Sequence, residues 1–141
     1  MFNDILLAVD LNEKSSWEKA LPVALDFTRA SGGTLHVMTV VPNFGMSIVG
    51  QFFPNGYEKE IGDKVLAVLK EFVKTHVPED VKTQRIVGEG TVYEVILNMA
   101  EKISADMIVV SSGRDDLKDF LLGPNAARIV RHANCSVTVV R

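Results

Sequence analysis

Apolar residues in this chain occur in two kinds of run. Ile5-Leu6-Leu7-Ala8-Val9, Thr34 to Val41 and Met107 to Val110 are short and nearly continuous. Continuity rather than alternation predicts strands covered on both faces, as in a parallel sheet. Between them, apolar positions recur at helical spacing, as in Trp17, Ala20, Leu21, Ala24, Leu25, Phe27 and Thr28, or Ile61, Val65, Leu66, Val68, Leu69, Phe72 and Val73. The set Val92, Val95, Ile96, Met99, Ala100 and Ile103 repeats the pattern, and a last helix is expected over Pro124 to His132. Val81 to Val87 mixes polar and apolar residues and Ser136 to Val140 alternates, which predicts the two edge strands.

Punctuation residues divide these runs. Asn12 or Ser15-Ser16 is expected to cap the first helix, and Pro22 to kink it near residues 18 to 22 unless it falls in the first turn. Ser31-Gly32-Gly33 and Pro78 end helices, and Gly88-Glu89-Gly90-Thr91 is read as a turn. The order β-α-β-loop-α-β-α-β-α-β predicts an α/β fold: a single doubly wound parallel five-stranded sheet, order 3-2-1-4-5, with helices on both faces.

Composition narrows the setting. A chain of 141 residues suits one domain, taken as 1–141, and 47% hydrophobic with 23% charged residues is ordinary for a globular protein. A formal net charge of −3 without a basic stripe favours neither nucleic acid nor a membrane as partner. No apolar run is long enough to span a bilayer and the first residues lack the pattern of a secretory signal, so a cytoplasmic location is expected. The single cysteine, Cys135, has no metal-ligand spacing around it and is read as a small buried hydrophobe.

In such a sheet, ligands bind beyond the carboxyl ends of the strands where successive connections reverse direction, between strands 1 and 4. Ala8, Val9 and Asp10 end strand 1; Ser111-Ser112-Gly113-Arg114 follow strand 4, and Gly123-Pro124-Asn125 open the last helix. Unpaired N–H groups at a helix start attract phosphate, and an arginine such as Arg114 offers a charged fork to it. Asp10 suits ribose hydroxyls or a magnesium ion, or alternatively caps the next helix; Arg114 is alternatively a solvated surface residue. Backbone groups of Val40 or Val41 are placed to read a base edge, and Gly90 completes the nucleotide-binding set.

Other phosphate sites fail on their residues. From Gly45 the chain has the two-glycine spacing of a P-loop, but Gln51 and Phe52 stand where lysine and a hydroxyl residue are needed. Asp10 to Lys14 contains no glycine, which excludes a dinucleotide fingerprint, and a phosphoacceptor domain would need an aspartate and a lysine where Val87 and Arg141 stand. The apolar connection 42–56, with Phe44, Met46, Ile48, Phe52 and Phe53, is read as a lid, a subunit contact or a cover for the core. No metal site is expected. His36, His76 and His132 show no convergence on a nucleophile, so catalysis is not expected beyond a slow ATPase activity.

Val9-Asp10, Ala20-Leu21-Pro22, Gly88 to Val92 before Ile96-Leu97, Ala105-Asp106, Leu121-Leu122-Gly123 and Val130 to Val137 occur together in this order. In that combination the chain resembles the universal stress protein family over nearly its whole length, its ending being nearest to the small bacterial members of the F and G type. The resemblance implies an adenine-nucleotide alpha-hydrolase-like fold, a stress-response regulator binding ATP or AMP, with magnesium as an optional companion, and a homodimer joined through Ser136 to Val140. ATP-binding members carry Gly-x-x-Gly-x9-Gly-Ser/Thr. Alignment on the strand end puts Ser111 and Arg114 at the first two glycines with a spacer one residue shorter; alignment on the spacer puts Val110 and Gly113 there. The first keeps the strand length and is preferred. Either way Pro124 replaces the hydroxyl residue and removes an N–H donor, which leaves a dimeric interaction scaffold without nucleotide as the alternative function.

Overall fold

The computed structural model describes residues 2–41, 57–112 and 124–141. Five strands, β1 (Asp4–Ala8), β2 (Thr34–Val41), β3 (Lys82–Glu89), β4 (Met107–Ser111) and β5 (Ser136–Val140), alternate with helices α1 (Ala20–Ser31), α2 (Tyr57–His76), α3 (Val92–Lys102) and α4 (Pro124–His132). All strand pairs are parallel and the order is β3-β2-β1-β4-β5, as the pattern of runs predicts.

The alternation of side chains along each strand divides the core in two. Ile5, Leu7, Leu35, Val37, Met107 and Val109 pack with Ala20, Leu21 and Ala24 of α1 and Leu69, Phe72 and Val73 of α2. Leu6, Met38, Ile86, Ile108 and Val110 pack with Ile96 and Ala100 of α3 and Ala126 and Ile129 of α4. The central strands thus bury both faces, which is why β1 and β4 read as unbroken apolar runs. Removal of a methylene-rich side chain such as Leu6 or Ile108, both fully buried, costs about 2–5 kcal/mol in such a core.

Several local expectations need correction. Neither Asn12 nor Ser15-Ser16 caps α1; Ser15 and Ser16 belong to a 3-10 turn, Lys14–Ser16, and α1 starts at Ala20 after an uncapped Lys19. Pro22 accordingly falls in the first turn, where its missing N–H has no intrahelical partner to lose, and no kink is imposed. β3 runs past Val87 to Glu89, so Gly88 lies inside a strand rather than in a turn. The reason is packing: a Cβ there would lie 2.4 Å from Val95 Cγ1 and 2.6 Å from Met38 Cε, so a larger residue would push both side chains aside where α3 meets the strand. The turn is carried by Gly90, whose φ of 129° strains any other residue.

Cys135 is half-buried and unpaired. Burial pushes its thiol above the ordinary range and the neighbouring Asp106 carboxylate adds to this, against hydrogen bonds from the Cys135 and Ile108 backbone, so the group is a neutral thiol at pH 7.

Candidate functional site

α1 and α2 cover one face of the sheet and α3 and α4 the other, so the connections reverse between β1 and β4. The space beyond the carboxyl ends of these two strands is where a doubly wound sheet of this topology places its ligand crevice. Ala8 ends β1, and Val9, buried, still donates its N–H to the Met38 carbonyl of β2 at 2.8 Å. Asp10 is exposed at the mouth. One carboxylate oxygen accepts the Asn12 N–H at 3.0 Å, so the side chain shapes its own turn rather than capping α1.

The 3-10 turn completes this wall. Ser16 Oγ accepts the Asp10 N–H at 2.8 Å and lies 3.0 Å from the Asp10 carbonyl and 2.7 Å from that of Glu13. Opposite, Ser111 at the end of β4 donates its hydroxyl to the Ser15 carbonyl at 3.1 Å, which bridges the crevice. Ser112, half-buried, gives its N–H to the Val140 carbonyl of β5 at 2.8 Å. Pro124 and Asn125, both exposed, are the first two residues of α4. Lys14 stands on the turn, exposed and 3.8 Å from Glu18.

Val40 and Val41 end β2 opposite Gly88 and Glu89 of β3. The Val41 carbonyl takes the Gly90 N–H at 3.1 Å, so Gly90 serves first to hold the β3–α3 turn against β2. The structure therefore brings Ala8, Val9, Asp10, Ser111 and Ser112 to one end of the β1–β4 pair. Val40, Val41 and Gly90 lie at the same end of the sheet on the neighbouring strands. Gly113, Arg114 and Gly123, together with the connection 42–56, lie outside the described residues.

Sequence reading missed Ser15 and Ser16 as parts of this site. The polar cluster from Asn12 to Ser16 signals a turn, but only the fold reveals that Ser15 meets β4. Two hollows lie elsewhere: about 680 Å³ along the β3 edge between Leu66 and Met99, and about 110 Å³ between the carboxyl ends of α3 and α4. Neither is lined by Asp10 or Ser111. Among the described residues no group of three or more His, Cys, Asp or Glu side chains is arranged to hold a metal. The histidines are dispersed, His36 bonding Asp4 and Gln84, His76 lying against Trp17 and His132 ending α4. Arg131 and His132 stand in the last turn of α4, and Arg128 sits 4.9 Å above the Tyr93 ring. No described helix is long and apolar enough to cross a membrane.

A doubly wound parallel sheet of order 3-2-1-4-5, with polar loops gathered at the β1–β4 reversal, defines an α/β protein of the adenine-nucleotide alpha-hydrolase-like fold. The chain belongs to the universal stress protein family, whose model matches residues 1–141. Universal stress protein G of Escherichia coli O157:H7 is 27% identical over 143 residues, covering 100% of both chains. Universal stress protein UspA from Lactobacillus plantarum superposes with a TM-score of 0.74 at 18% identity, covering 99% of this chain and 98% of that one. The universal stress protein from Archaeoglobus fulgidus in complex with dAMP gives a TM-score of 0.62 at 19% identity and covers 100% of both chains.

Proposed function

We propose that this protein is a cytoplasmic stress-response regulator that binds AMP or ATP, the latter with magnesium, in the crevice between β1 and β4. The observation that carries the reading is the meeting of Asp10, Ser111 and Ser112 at the one reversal of the sheet, together with a relative of the same fold that holds dAMP. Asp10 keeps one carboxylate oxygen for the Asn12 N–H and offers the other to ribose hydroxyls. The Ser111 and Ser112 hydroxyls and the N-terminus of α4 supply donors to phosphate, and Arg114 a charged fork. Backbone groups of Val40 and Val41 meet the base. Hydrolysis is at most slow in this reading, with His36 engaged by Asp4 and Gln84 and His76 packed against Trp17.

The half-buried, alternating β5 is an edge strand, which supports a homodimer joined through Ser136–Val140. A second reading, a dimeric interaction scaffold without nucleotide, is favoured by the donors already spent. Pro124 has no N–H, the Ser112 N–H goes to Val140 and the Ser111 hydroxyl to Ser15. Isothermal titration separates the two. The proposal expects heat with AMP and ATP-Mg, weakened roughly ten- to 150-fold in Asp10→Ala, the loss of a hydrogen bond to a charged group. No heat with any adenine nucleotide would leave the scaffold.

A further inference from the structure

Ser111 has one hydroxyl proton and spends it on the Ser15 carbonyl, 3.1 Å across the crevice. Ser15 is the middle of the 3-10 turn, which lies against β4. The turn is knotted within itself: Ser16 Oγ bonds the Asp10 N–H and the Asp10 and Glu13 carbonyls, and the Trp17 N–H bonds the Lys14 carbonyl at 3.1 Å. The Ser111 hydroxyl ties this turn to β4. Trp17, the next residue, sets its ring edge-on to Phe72, centroids 5.0 Å apart, and 4.6 Å from His76, so displacement of the turn is felt at α2.

We propose that Ser111 is a latch that selects phosphate-bearing ligands. Its hydroxyl holds the β1–α1 turn across the crevice, and a ligand enters by taking that hydroxyl from Ser15. The inference rests on the nucleotide-binding reading and adds to it. A phosphate oxygen is charged and forms a hydrogen bond about twice as strong as a neutral carbonyl does, so a nucleotide is repaid for opening the latch. A nucleoside breaks the same bond and gains nothing from it.

The test compares wild type, Ser111→Ala and Ser111→Thr with adenosine and AMP by titration, and by amide hydrogen exchange without ligand. Loss of the latch in Ser111→Ala should tighten adenosine roughly two- to tenfold and shrink the preference for AMP. Ser111→Thr, which keeps the hydroxyl, should behave as wild type. Without ligand, the Ser16 and Trp17 amides should exchange faster in Ser111→Ala. If AMP weakens while adenosine is unchanged, Ser111 is a plain phosphate contact and the latch is wrong. Unchanged exchange removes the latch whatever binds. Absence of binding by every variant removes the nucleotide reading and the selection of phosphate with it, and the exchange measurement still judges the bridge.

Discussion

The two ends of the sheet use the same polar chemistry in opposite ways. At the amino end, Asp106 Oδ2 accepts the N–H groups of Asn3 and Asp4, each at 2.8 Å, and the Asp106 N–H returns to the Asp4 carbonyl at 2.8 Å. His36, only 7% exposed, joins three strands by bonding Asp4 Oδ1 at 2.9 Å and Gln84 Oε1. Asn3 also passes so close to Gly33 that a Cβ there would lie 2.0 Å from its carbonyl oxygen. At the carboxyl end, Asp10 is exposed and makes one turn contact, and Ser111 reaches a loop through a single neutral bond. One end spends its polar groups on fixing the strands. The other keeps them near water, on connections rather than strands.

Substitutions at the two ends should therefore separate. The largest loss is expected for Gly33→Ala, because the obstacle is backbone and cannot swing away: about 3 kcal/mol or more in urea denaturation. A value under 1 kcal/mol would mean that Asn3 is not held where the structure puts it. Next comes Asp106→Ala, which strips the acceptor from two N–H groups at the start of β1 and should cost about 1–3 kcal/mol. Asp10→Ala, at the opposite end, removes one exposed turn contact and should change stability by about 0.5 kcal/mol or less while weakening the nucleotide. A large stability loss in that variant would erase the contrast between the ends.

How much of this was legible beforehand follows the same division. Element order follows from apolar periodicity and sheet order from the usual doubly wound topology, and α2 carries its expected stripe, Ile61 to Val73, because that stripe has no competing signal. Where polar residues lie inside strands, periodicity is blind. Asp4 begins β1 because Asp106 and His36 fasten it, and those partners are distant in sequence. Gly88 reads as a turn residue until Val95 and Met38 are seen against it. For the site, topology alone points to Asp10, Ser111 and Ser112, whereas Ser15 and Ser16 read locally as helix caps because a hydroxyl in a turn has many local partners. Their link across the crevice is a tertiary fact that local sequence does not carry.

The amide spectrum of the protein titrated with AMP tests the division most directly. The account predicts shifts gathered at Val9 to Trp17, Val40, Val41, Gly90, Ser111, Ser112 and the start of α4, with Asn3, Asp4, His36, Gln84 and Asp106 unmoved. Shifts centred on the amino end, or a spectrum indifferent to AMP, would contradict it.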